Sequence, residues 1–132
     1  MTAWMFAGGG GLALTSIFEK ANSVNALHEA GKKAPQIELE SELHVTDSCI
    51  SKVYHIPAGV ILGKHSHNYS HLSFLMSGDV VLHKGDDKIE LKGPAIVAID
   101  AYVLHAVQAV TDTVWACTHG ASENDITKYE NS

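Results

Sequence analysis

From Gln36 onward, turn-forming residues cut the chain at intervals of about ten, and that spacing restricts what the chain can build. Pro57-Ala58-Gly59, Gly78-Asp79, Gly85-Asp86-Asp87 and Gly93-Pro94 separate short runs in which apolar and polar side chains tend to alternate. A period of two belongs to strands, because successive side chains on an extended backbone point to opposite faces. The strands predicted are 37–43, 49–56, 70–77, 80–84, 88–91, 95–99, 105–110 and 113–118, with Val60 to Leu62 leading into a histidine-bearing segment. The runs 80–84 and 88–91 form a hairpin across Gly85-Asp86-Asp87. Many short strands at such spacing indicate an all-β sandwich or barrel.

The residues before Gln36 follow another pattern. Trp4, Met5 and Phe6 are costly to leave in water, and Gly8 to Gly11 follow them. This apolar start is expected to dock across a partner subunit. Leu12 to Ala30 reads as helical, with Leu12, Ile17, Val24 and Leu27 at loose helical intervals and Gly31 as a stop. The chain of 132 residues, 45% hydrophobic, therefore divides into an apolar, glycine-rich and helical arm (1–35), one β domain (36–120) and a polar tail (121–132).

Charge and composition exclude several classes. A net charge of −6 with no cluster of Lys or Arg argues against a nucleic-acid partner. The four glycines interrupt the first apolar run, which also lacks a preceding basic residue, so neither a targeting segment nor a membrane span is expected. Cys49 and Cys117 form no C-x-x-C pair and read as reduced thiols of a cytoplasmic protein, with a single disulfide between them as the alternative.

The chemistry concentrates in Gly59 to Gly78, which holds His65, His67 and His71. In an extended segment His65 and His67 point the same way, and the step through Asn68-Tyr69-Ser70 brings His71 in from a neighbouring strand. Imidazoles converging in this way suit a divalent transition metal. His105 lies downstream among Val, Leu and Ala, where a buried imidazole needs a partner for its ring nitrogens. His28, His44, His55 and His83 lack partners at ligand spacing and read as ordinary hydrogen-bonded core or surface residues.

These residues resemble the small single-domain cupins. That family's first motif runs Gly, five residues, His-x-His, three or four residues, Glu, six residues, Gly. Gly59, His65, His67, His71 and Gly78 meet every spacing, with His71 where the family usually has glutamate. The second motif ends Pro-x-Gly-x-x-His. Asp100, Tyr102 and His105 stand there, and only the histidine is kept. The resemblance implies a double-stranded β-helix, the cupin or jelly-roll barrel, and a homodimer. It also implies a metal held by His65, His67, His71 and His105. Fe, Mn, Ni, Cu and Zn all accept such ligands. Four neutral imidazoles leave the ion its full dipositive charge, making it a stronger Lewis acid than one with a carboxylate ligand.

The function expected is metal-dependent enzymology on a small molecule, of the oxidoreductase or dioxygenase kind. A non-catalytic cupin binding a small ligand or sugar, or an isomerase or lyase of the same fold, is the alternative. Because the motif lacks a carboxylate, Tyr69, Tyr102, His119 and Tyr54 are the candidate acid–base groups. Ser73 and Leu75 share the parity of His71 and are expected to line the same cavity, with Leu72, Phe74 and Met76 on the other face.

Overall fold

A computed structural model of the chain describes residues 2–5, 29, 32, 34–64 and 69–120. The helical reading of 12–30 falls almost wholly outside these residues, and the tail 121–132 lies outside them entirely. The described structure is nearly all β, as expected. Ten strands follow in order: β1 (Thr2–Met5), β2 (Glu40–Val45), β3 (Cys49–Ile56), β4 (Val60–Lys64), β5 (His71–Ser77), β6 (Asp79–Lys84), β7 (Asp87–Lys92), β8 (Ala95–Ile99), β9 (His105–Ala109) and β10 (Thr113–Gly120). No helix among the described residues is long and apolar enough to cross a membrane.

The strands form two five-stranded sheets, β1-β4-β9-β6-β7 and β2-β3-β10-β5-β8. Every pairing is antiparallel. β10 is the spine of the second sheet. It pairs with β3 on one side and β5 on the other, so Trp115 lies opposite both Tyr54 and Leu75. These three, with Ile50, Ile56 and Ile99, meet Val60, Leu62, Val80, Leu82 and Val107 of the first sheet in one buried cluster. Each Leu, Ile or Val so buried contributes about 1.5–3 kcal/mol relative to exposure. Ile37, Leu39 and Leu43 pack against the cluster, although the strand there begins at Glu40 and not at Ile37.

Thr2–Met5 forms a strand antiparallel to β4 of its own chain, with Thr2 opposite Gly63 and Met5 opposite Val60. These residues complete a sheet edge by backbone hydrogen bonding, which composition does not announce.

Both glycines of the histidine motif serve the backbone. Gly59 has φ 85° and Gly78 φ 98°, in the left-handed region that side chains disfavour. A Cβ on Gly78 would stand 2.5 Å from the Asp112 carbonyl oxygen and 2.6 Å from Thr113 Oγ1. The surrounding turn cannot yield easily. The Val110 and Thr111 N–H groups donate to the Asp79 carbonyl, and the Asp79 N–H donates to Thr111 Oγ1. Gly78→Ala is therefore expected to lower stability by at least about 2 kcal/mol, and Gly59→Ala by about 1–2 kcal/mol. The urea midpoint at unchanged slope checks both values. A wild-type midpoint for Gly78→Ala would contradict the geometry.

Candidate functional site

His71 is the first residue of β5 and His105 the first of β9, so the two come from opposite sheets. Their rings nevertheless meet inside the sandwich, with centroids 5.7 Å apart and planes at 46°. His71 is 8% exposed and His105 fully buried. The expectation that His71 enters from a neighbouring strand is thus replaced by an approach across the interior. Alternation aims it there. His71, Ser73 and Leu75 are buried, while Leu72 and Met76 are about half exposed on the outer face. In β9, His105 and Val107 turn inward, and the backbone of His105 is flanked in register by Lys64 and Lys84.

The His105 ring is oriented by the backbone. Its Nδ1 lies 3.2 Å from the Val103 carbonyl oxygen. A carbonyl only accepts, so Nδ1 carries the proton and donates. In the neutral ring that leaves the Nε2 lone pair as the electron-donating atom. A main-chain bond of this kind fixes the tautomer of a metal-binding histidine.

A row of rings continues from His71. Tyr69 stands edge-on to it, with centroids 6.3 Å apart. Tyr69 also lies 4.6 Å from the His119 ring, at a tilt of 31°. His119 Nδ1 donates to the Gly120 carbonyl over 2.7 Å. Cys117, two residues earlier on β10, shares the parity of His119. Cys117 is buried opposite Ser73 and accepts a hydrogen bond from its Oγ over 3.7 Å. Both cysteines are free thiols. The Cys117–Ser73 juxtaposition spans residues 44 apart, and only the β5–β10 register reveals it.

The remaining candidates lie elsewhere. Tyr54 is in the core, where burial, reinforced by Cys117, holds its phenol protonated. Tyr102 is 76% exposed on the turn before β9. His65 and His67 lie outside the described residues. Among the described residues there is no group of three or more His, Cys, Asp or Glu arranged for a metal. Two clefts, of about 560 and 600 Å³, also lie away from the histidine pair. One is at the opposite end of the strands, beside Pro57, Ser77 and Asp112. The other lies on the outer face around Val53, Phe74 and Met76.

No protein-family model matches the sequence, and no curated protein matches it. Solved structures do resemble it. An RmlC-like cupin from Shewanella frigidimarina superposes with a TM-score of 0.58 at 16% identity, over 66% of this chain and 79% of that one. An RmlC-like cupin from Desulfovibrio desulfuricans gives 0.55 at 26% identity, over 61% and 80%. An RmlC-like cupin family protein with a double-stranded β-helix fold, from Methanocaldococcus jannaschii, gives 0.57 at 18% identity, over 72% and 87%. The chain has the cupin fold.

Within the cupin barrel, the other described histidines take the ordinary roles expected of them. His44 Nε2 lies 3.2 Å from a Glu42 carboxylate oxygen at the surface, and His55 Nε2 lies 3.9 Å from the other. His83 is 2% exposed, and its Nε2 is 3.2 Å from Gln108 Oε1. Burial pulls the His83 pKa below 6.5; Gln108 opposes this and Lys88 adds to it. As pH falls through the unfolded value, the unfolded chain takes up this proton first. Stability is therefore full above about pH 6.5 and declines toward the lower folded value. His83→Gln is expected to flatten the decline between pH 7 and 5 by up to about 1.4 kcal/mol per pH unit. Urea titrations of both proteins across that range measure the difference. Parallel curves would show that His83 contributes no proton linkage.

Proposed function

We propose that this cupin holds one divalent transition metal through His65, His67, His71 and His105 and uses it to act on a small molecule. The reaction class we favour is oxidoreductase or dioxygenase chemistry. The observation that carries the reading is the His71–His105 pair, two buried imidazoles delivered to one place by opposite sheets. The donor set fits such an ion. Neutral imidazole nitrogens suit the later first-row metals, and the Val103 carbonyl leaves His105 with Nε2 as its donor. Tethering supports the other two ligands. The residues flanking 65–68 are Lys64, in register with His105, and Tyr69, beside His71.

When bound, the metal supplies Lewis acidity and, for a redox-active ion, electron transfer. The chain supplies the rest. His71 and His105 bridge the two sheets. Leu75, Ile99, Leu82 and Val107 belong to the buried apolar cluster between the sheets. Tyr69 lies against both the His71 and the His119 rings. His119, its Nδ1 donating to the Gly120 carbonyl, is the ring we assign to proton exchange with the substrate.

The test begins with elemental analysis of protein purified without a histidine tag. About one transition-metal ion per chain is expected. His71→Ala and His105→Ala should each weaken metal binding by on the order of 100-fold or more while leaving a folded barrel by circular dichroism. Oxygen uptake with candidate diketones, phenols and thiols after anaerobic reconstitution then tests the reaction class. Retained affinity in both variants would overturn the site. Full loading without turnover for any redox metal would favour the ligand-binding alternative.

A further inference from the structure

Tyr102 has φ 64°, and among the described residues it is the one non-glycine with positive φ. It also stands where the resembling motif carries glycine. A bulky residue in this region costs about 1–2 kcal/mol. Side-chain packing offers little compensation, since Tyr102 is 76% exposed. The conformation must therefore be imposed by what surrounds the turn. On one side the Val103 N–H returns to the Asp100 carbonyl over 3.4 Å. On the other, the Leu104 carbonyl accepts the Gly85 N–H over 3.1 Å, tying the chain to the β6–β7 hairpin. Between these two anchors lies the Val103 carbonyl, 3.2 Å from His105 Nδ1.

We infer that Tyr102 is a positioning residue: its left-handed backbone aims the Val103 carbonyl at His105 Nδ1 and so keeps Nε2 as the nitrogen offered to the metal. This rests on the metal reading above and assigns Tyr102 a part different from acid–base catalysis. The phenol is not what the turn requires. Any residue that accepts positive φ preserves the carbonyl direction, and one that resists it turns the carbonyl away. His105 then loses the bond that selects its tautomer.

Three substitutions separate backbone from side chain. Glycine accepts the conformation freely, asparagine tolerates it, and valine, branched at Cβ, resists it. Two readouts apply to each variant. Long-range ¹H–¹⁵N correlation of the His105 ring in the metal-free protein reports which nitrogen is protonated. Competition of Zn²⁺ against a chromophoric chelator reports affinity. Tyr102→Gly and Tyr102→Asn should keep the Nδ1–H tautomer and bind Zn²⁺ within about twofold of wild type. Tyr102→Val should shift His105 toward a tautomer mixture and weaken Zn²⁺ binding about 10- to 100-fold, the range typical of lost support behind a ligand. A wild-type tautomer and affinity in Tyr102→Val would overturn the inference. So would Tyr102→Gly losing as much affinity as Tyr102→Val, since the phenol would then be the active part. If the wild-type protein takes up no Zn²⁺, the metal reading fails, and the tautomer in the three variants still decides the role of Tyr102.

Discussion

One turn, Thr111 to Thr113, ties together the end of the barrel remote from the histidines. The Asp112 carboxylate accepts the Ala58 N–H, its main-chain oxygen fills the space a Cβ on Gly78 would need, and the Thr111 hydroxyl accepts the Asp79 N–H. Two other turns, one closing at Gly59 and one at Gly78, are thus pinned to a third. With this end fixed, β4 and β5 run away from it for five and seven residues. At about 3.3 Å per residue, that is roughly 17–23 Å. The far ends of these strands are where Lys64 leads into His65 and where His71 begins β5. The spacing of the Gly–His–Gly pattern is therefore a measure of strand length. Glycines make the closed end possible, and the seven residues of β5 between Gly78 and the far end place His71 at the other.

Most strand positions were legible in the sequence, since turn residues bound them and alternation fills them. β3 and β8 match their predicted limits, and the β6–β7 hairpin turns at the Gly85-Asp86 step. What could not be read locally was which sheet each strand joins. His71 was expected from a neighbouring strand because it follows His67 closely, yet the connection through 65–70 changes sheets. A change of sheet leaves no local signature; only the identity of pairing partners records it. β1 escaped notice for a similar reason. A four-residue strand, too short to show a period, is defined by the edge it covers.

The candidate site was legible in its histidines and illegible in its supports. His71 and His105 stood out by residue type and spacing, and the structure brings their rings together. The Val103 carbonyl has no side-chain signal at all, because any residue can supply it. Tyr69 and His119 were named separately, 50 positions apart, and their contact follows from His119 ending β10 alongside the start of β5. The departure from the glycine of the second motif proved the more informative clue. Tyr102 takes there a positive φ, the conformation that glycine accepts freely.

The direction of β1 has a practical meaning for handling this molecule. Thr2 lies opposite Gly63, one residue before Lys64, which is itself in register with His105. Thr2 therefore stands at the His105 end of the barrel, and Met5 toward the Gly59 end. An affinity tag rich in histidine fused ahead of Thr2 would add chelating imidazoles at the end of the barrel where His71 and His105 meet.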